Sequence, residues 1–236
     1  MHEGLRVKIF ADGAEKASML ALAAKPWIAG FTTNPTLMRK AGVADYRAFA
    51  KDVLLAIPDR PISFEVFSDD FDEMERQANE IAGWGEQVYV KIPVTTTQGE
   101  SSVGLIRRLV RDGVKLNVTA LTTLGQVGCV ADALSGSRSS YVSVFAGRIA
   151  DTGRDPLPIM QAAVELLRPQ PALELIWASP REVLNVYQAD QIGCQIITVT
   201  PDLLAKLPLF GKDLASYSLE TVRMFYEDAR AAGYTL

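Results

Sequence analysis

Eight short β-rich runs recur along this chain, separated by stretches with helical spacing, and that alternation constrains the fold more than any other feature. The runs are RVKIF (6–10), IAGFT (28–32), ISFEVF (62–67), VYVKI (88–92), VKLNVTA (114–120), YVSVF (141–145), LELIWAS (173–179) and QIITVT (195–200). In ESSVGLIRRLVRDG, Val103, Ile106 and Val110 share one helical face, with Leu105 and Leu109 beside it and Arg107 and Arg108 pointing away. Gly113 then stops the helix. SDDFDEMERQANEIAGWG carries its acids early and its glycines late, matching the polarity of a helix dipole. Strands alternating with helices build a parallel sheet. Eight such units in 236 residues is the size of a (β/α)8 TIM barrel. An open doubly wound sheet usually shows a glycine-rich phosphate loop after its first strand. Here ADGAEKAS follows, with no GxGxxG. No linker or low-complexity tract interrupts the pattern, so residues 1–236 are expected to form one α/β barrel domain. The final segment, SLETVRMFYEDARAAGYTL, predicts an extra amphipathic C-terminal helix over 215–233.

Composition narrows the function classes. About half of the chain is apolar (48%) and 22% is charged, as in a soluble globular domain. The net charge is −4 with both signs scattered, so neither nucleic acid nor an anionic membrane surface is an expected partner. No segment is long and apolar enough to span a bilayer. MHEGLRVKIFADG enters a strand-like run at once, without the pattern of a signal peptide. Cys129 and Cys194 lie far apart without a CxxC partner and are expected as free core thiols in a reducing, cytoplasmic compartment. His2 is the only histidine. That excludes Ser-His-Asp and Cys-His nucleophile activation and His-rich zinc sites. Any proton chemistry must run on carboxylates, lysine, tyrosine or water.

Strand side chains alternate between faces, so residues two apart share one. Strand one then pairs Phe10 with Asp12, and strand two aligns Gly30, Thr32 and Asn34. Strand three aligns Ser63 with Glu65, strand four Tyr89 with Lys91, and strand five Asn117 with Thr119. Strand six aligns Tyr141, Ser143 and Phe145, and strand seven Trp177 with Ser179. The other faces are apolar, as surfaces under barrel helices must be. The polar set is therefore expected to point inward at the C-terminal mouth, where barrel enzymes hold their active sites. This accounts for Lys91, whose ammonium would be costly to bury unpaired.

These residues resemble the transaldolase family, in its short-chain branch that also contains fructose-6-phosphate aldolase. The motifs are FADGA (10–14), GFTTNPTLM (30–38), VKIPVT (90–95) with Gly99, SVFAGRIADTG (143–153), WASPREVLN (177–185) and IITVT (196–200), spread over essentially the whole chain. The resemblance implies a class I mechanism with a lysine Schiff base and no metal or organic cofactor. It places Lys91 at the Schiff base, Asp12 as the acid/base at the cleaved bond, and Glu65 as a proton relay through water. It places Thr32, Asn34 and Thr119 on substrate hydroxyls or water. Arg148, Ser179 and Arg181 fall at the phosphate site, with Asn117, Ser143 and Phe145 lining the pocket. Sugar phosphates are the implied partners, and a homo-oligomer with the C-terminal helix at its contacts the implied assembly. An intramolecular cover over the barrel would give Met224, Phe225 and Tyr226 the same pattern.

The chemistry fits. A lysine is nucleophilic when neutral, and an apolar setting favours that form. Two carboxylates in different surroundings divide proton work, and guanidinium forks suit a phosphate dianion. Plainer roles compete. Asp12 could cap a helix, Asn34-Pro35 could be a strand-to-helix turn, and Arg181 could sit in a first helical turn. Gly99 is expected to start a helix, and Phe145 and Trp177 to fill the barrel. Glu65 and Phe145 are the transaldolase-like choices where the aldolase has Gln and Tyr. Leu121, and the glycine after FAD, depart from longer transaldolases and leave the acceptor open. The alternatives are an aldolase that releases dihydroxyacetone and a non-catalytic sugar-phosphate-binding barrel.

Overall fold

The computed structural model describes residues 4–236, so His2 lies outside the described residues. Its strands are β1 (Lys8–Asp12), β2 (Ile28–Thr32), β3 (Ile62–Glu65), β4 (Val88–Pro93), β5 (Leu116–Leu121), β6 (Ser140–Val144), β7 (Leu173–Trp177) and β8 (Ile196–Val199). They pair in sequence order, all parallel, and β8 closes onto β1 to complete a barrel. Around it lie α1 (Lys16–Ala23), α2 (Pro35–Lys40), α3 (Tyr46–Ala56), α4 (Phe71–Ala82), α5 (Val103–Arg111) and α6 (Leu124–Ala133). Then come α7 (Ala146–Asp151), α8 (Leu157–Leu167), α9 (Leu184–Gln191), α10 (Pro201–Leu204) and α11 (Leu214–Ala231). The (β/α)8 barrel read from the sequence is the observed fold, with α11 as the extra C-terminal helix.

Local chemistry sets the elements. Asp70 caps α4 by accepting from Glu73 N at 2.9 Å, and Met74, Ala78 and Ile81 then bury one stripe at helical spacing. α5 buries Leu105, Ile106 and Leu109 and gives way to Gly113, whose φ of +79° favours glycine. On β4, Val88, Val90 and Ile92 join the core beneath the helices. Burying each such side chain stabilises the fold by about 1.5–3 kcal/mol.

The barrel interior divides into two zones. Its lower part is filled by Phe10, Tyr89, Tyr141, Ile176 and Ile196. Tyr89 and Tyr141 stack with centroids 4.0 Å apart, and Phe10 meets Tyr141 edge-on at 5.8 Å. Gly30 is required here, because a Cβ would stand 2.6 Å from the Phe10 ring. Above this plug the inward side chains turn polar.

Strand seven departs from the expected phase. Ile176 and Ala178 face the barrel interior, whereas Trp177 joins Leu173 and Leu175 in the core under the helices. The indole of Trp177 takes the helix side of β7, and Ala178 leaves room in the mouth above Ile176. Two further expectations are corrected. Cys129 is exposed on α6, while Cys194 is buried as expected. Gly99 sits in a turn at φ +82°, donating to Thr96 O, and α5 starts only at Val103. α11 buries none of its residues and leaves Leu214, Val222, Phe225 and Tyr226 open to solvent, so it does not cover its own barrel. Among the described residues no helix is long and apolar enough to cross a membrane.

Candidate active site

A cavity of about 710 Å3 opens at the C-terminal ends of the strands. Asp12, Thr32, Asn34, Glu65, Lys91, Asn117, Thr119, Ser143, Phe145, Arg148, Ser179 and Arg181 all line it, so every site residue expected from the sequence comes to one place.

Lys91 projects inward from β4, and the sheet register sets it beside Glu65 on β3. Its Nζ lies 3.2 Å from Glu65 Oε2 and donates to Thr33 O at 2.9 Å. The lysine is only 5% exposed, so this pair is enclosed rather than solvated. A buried charge pair stands or falls with its remaining hydrogen bonds. Tyr46 of α3 supplies a brace from outside the barrel. Its hydroxyl donates to Glu65 O and accepts from Glu65 N, each at 2.8 Å. Burial pushes the Tyr46 hydroxyl far above its ordinary value and keeps it a neutral donor.

Asp12 ends β1 across the mouth. Its Oδ1 accepts from Thr32 Oγ1 at 2.7 Å. The helix cap that it might have supplied comes from Glu15, whose carboxylate accepts from Ala17 N at 3.0 Å and Ser18 N at 2.6 Å. Asp12 is thus left to the cavity. Burial raises its pKa above the usual aspartate value, while the charge of Lys91 and the Thr32 bond pull the other way. Asn34, by contrast, does cap a helix, accepting from Leu37 N at 2.9 Å, and still lines the cavity.

Asn117 forms the floor. Its Nδ2 donates to Ser63 Oγ at 3.0 Å, and its Oδ1 accepts from Ser143 Oγ at 2.7 Å. One layer higher, the buried Thr119 hydroxyl has no hydrogen-bond partner among the described residues and is free for a ligand.

Two non-glycine residues among those described have positive φ, Ala120 at 67° and Ser179 at 59°, and both line the cavity. Such conformations cost on the order of 1–3 kcal/mol and cluster at working sites. Ala120 falls where the β5–β6 register shifts, as at a β-bulge. Ser179 reverses the alternation after Trp177, which is how it reaches the cavity although Trp177 faces outward. Beside it, α7 packs backbone to backbone: Gly147 N donates to Ala178 O at 3.4 Å. Arg181 Nε donates to Asp151 Oδ1 at 3.0 Å and its NH2 group to Oδ2, which holds Asp151 below the usual carboxylate range. Arg148 stands exposed on the same rim.

Sequence reasoning missed other lining residues: Thr198, Thr200, Asp202, Lys206, Thr36 and Lys40. Strand phase would have found Thr198, which follows the inward Ile196 by two. Lys40 and Lys206 arrive through helix and loop geometry, for which the sequence holds no periodic signal.

A parallel barrel whose mouth holds an enclosed amine, two carboxylates and rim cations in one cavity has the layout of a barrel enzyme's active site. The chain is a member of the transaldolase/fructose-6-phosphate aldolase family, whose model matches residues 9–236. It is 35% identical over 228 residues to a probable transaldolase of Thermoanaerobacter sp. (strain X514), covering 96% of this chain and 99% of that one. It is 33% identical over 194 residues to a probable transaldolase of Dehalococcoides mccartyi, covering 80% and 86% of the two chains. Among solved structures it resembles 2,3-dimethylmalate lyase, a PEP mutase/isocitrate lyase superfamily member, with a TM-score of 0.53. That match covers 98% of this chain and 86% of the other at 15% identity, a likeness of fold alone.

Proposed function

We propose that this enzyme is a transaldolase that moves a dihydroxyacetone unit between sugar phosphates through a Schiff base on Lys91. The observation that carries this is the enclosed Lys91 amine, held 3.2 Å from Glu65 in the same cavity as Asp12. The amine adds to the C2 carbonyl of a ketose phosphate, fructose 6-phosphate or sedoheptulose 7-phosphate. Water leaves and an iminium remains. Asp12 takes the C4 hydroxyl proton, the C3–C4 bond breaks, and its electron pair flows into the iminium. An aldose phosphate departs and an enamine stays on Lys91. The enamine attacks the aldehyde of erythrose 4-phosphate or glyceraldehyde 3-phosphate, Asp12 returns its proton, and water hydrolyses the new iminium. Glu65 passes protons to and from the departing and attacking water.

Thr32, Asn34 and Thr119 suit the sugar hydroxyls or that water. Arg148, Ser179 and Arg181 suit the phosphate, and Asp151 pre-orients the Arg181 fork. Glu65 and Phe145 favour transfer over release, since phenylalanine cannot donate a proton to the enamine. A non-catalytic barrel would have no use for a buried amine. A homo-oligomer is part of the proposal, supported by the uncovered apolar residues of α11, as is a cytoplasmic location. The test is a product assay with fructose 6-phosphate. Sedoheptulose 7-phosphate formed only when erythrose 4-phosphate is added supports transfer; equal release of dihydroxyacetone with and without it would make the enzyme an aldolase.

A further inference from the structure

We infer that Thr198, on β8, is a positioning residue for the Asp12 carboxyl, acting through Thr32. The role rests on the function proposed above for its chemical purpose. Three side chains from adjacent strands form one file, because β1 lies between β2 and β8 in the barrel. Asp12 and Thr32 are register partners, and Thr198 sits beside Phe10 of β1. Thr32 Oγ1 donates to Asp12 Oδ1 at 2.7 Å, and the two threonine hydroxyls are in hydrogen-bond contact. Thr32 is 2% exposed and Thr198 6%, so both hydroxyls are buried at the cavity wall.

A hydroxyl has one proton to give. The proton of Thr32 goes to the carboxylate. The contact between the two hydroxyls is therefore made with the proton of Thr198. The file runs Thr198 to Thr32 to Asp12, with each proton directed at the charge. When Asp12 takes a proton from substrate, the file can reverse. Asp12 then donates to Thr32, Thr32 to Thr198, and Thr198 to whatever occupies the cavity that it lines. Both protonation states of Asp12 are thus satisfied without moving the backbone. The charges acting on Asp12 are those of Lys91 on β4 and Glu65 on β3, and Lys40, Arg148, Arg181, Asp202 and Lys206 line the same cavity. None belongs to Thr198, so removing its hydroxyl changes no charge.

Bonds to ionised groups are about twice as strong as neutral ones, and a chain of bonds reinforces each member by roughly 10–30%. Thr198→Val keeps the side-chain shape and removes the donor. It should weaken the ionised state of Asp12 and raise its titration midpoint by roughly 0.1–0.7 pH units. Thr198→Ser should restore it. The measurement is a 13C titration of labelled aspartate carboxyls, with Asp12 assigned by its loss in Asp12→Asn. Alongside it runs the pH profile of fructose 6-phosphate cleavage. The expected result is a matched upward move of both midpoints in Thr198→Val, with Thr198→Ser at the wild-type position. Thr198→Ala serves as a second hydroxyl-free variant with the same expected shift. Adding Thr198→Val to Thr32→Val should change the midpoint no further. An unmoved carboxyl titration in the hydroxyl-free variants, a serine variant that behaves like valine, or additive shifts in the double variant would overturn the assignment. Borohydride trapping of substrate on Lys91 in wild type separates the two ideas. Its failure refutes the Schiff-base function, while the carboxyl titration still decides Thr198.

Discussion

Replacing Gly147 by alanine puts a methyl group where the β7–α9 connection already runs. The new Cβ would stand 1.6 Å from Ser179 O, 2.7 Å from Ser179 C and 3.2 Å from Arg181 Nε. Ordinary contact begins near 3.4 Å, so the gap must open by about 1.8 Å, the difference 3.4 − 1.6. The obstacle is backbone and cannot rotate away. α7 is tied to β5 just before this point, where Phe145 N donates to Leu121 O at 2.7 Å. The connection carrying Ser179 and Arg181 must therefore yield, and the Arg181–Asp151 contact yields with it. Overpacking of this kind costs about 1–3 kcal/mol of stability. A displacement of about 1 Å in a positioning group costs on the order of 10²-fold in rate. Lys91, on β4, lies three strands away and keeps its surroundings. Steady-state kinetics with fructose 6-phosphate should show kcat/KM down about 10²-fold, chiefly through KM. Trapping of unphosphorylated dihydroxyacetone on Lys91 should be as efficient as in wild type. Equal losses for phosphorylated and unphosphorylated substrates, or an unchanged KM, would refute both the phosphate assignment and the close-approach reasoning.

Asp12→Asn should still form the Lys91 adduct but lose carbon–carbon cleavage, read by trapping and turnover side by side. The same variant tests the burial of Asp12. Its folded pKa is raised above the unfolded value, so its contribution to stability is full below the ordinary aspartate range and falls as pH rises through the folded pKa. Asp12→Asn should therefore melt above wild type at neutral pH, with the gap closing toward pH 4; a lower Tm at pH 7 would contradict this. Glu65→Gln combined with Phe145→Tyr should raise dihydroxyacetone release relative to transfer, and an unchanged ratio would remove the basis for preferring transaldolase over aldolase.

Much of this site was legible in the sequence because barrel strands obey a period of two. Lys91 between Val90 and Ile92, and Glu65 between Phe64 and Val66, could point only one way once the valines and isoleucines were assigned to the helices. The rule failed where the backbone leaves the strand conformation. At β7, polar identity suggested that Ser179 and Trp177 share a face, but the left-handed turn at Ser179 breaks the alternation. Ala120 is a similar case, because nothing in an alanine announces a positive φ. The brace from Tyr46 to the Glu65 backbone was invisible because it joins α3 to β3 through tertiary packing alone. Asn34 shows that competing readings can both hold, since one side chain caps α2 and lines the cavity. Arg181 is likewise both a cavity residue and the partner of Asp151.

The central claim is that the enclosed amine of Lys91 forms the covalent bond to substrate. Incubation with fructose 6-phosphate followed by borohydride reduction and peptide mass analysis tests it directly. The account predicts a reduced dihydroxyacetone adduct on the peptide carrying Lys91, absent from Lys91→Ala. No adduct in wild type, or an adduct that persists in Lys91→Ala, would contradict it.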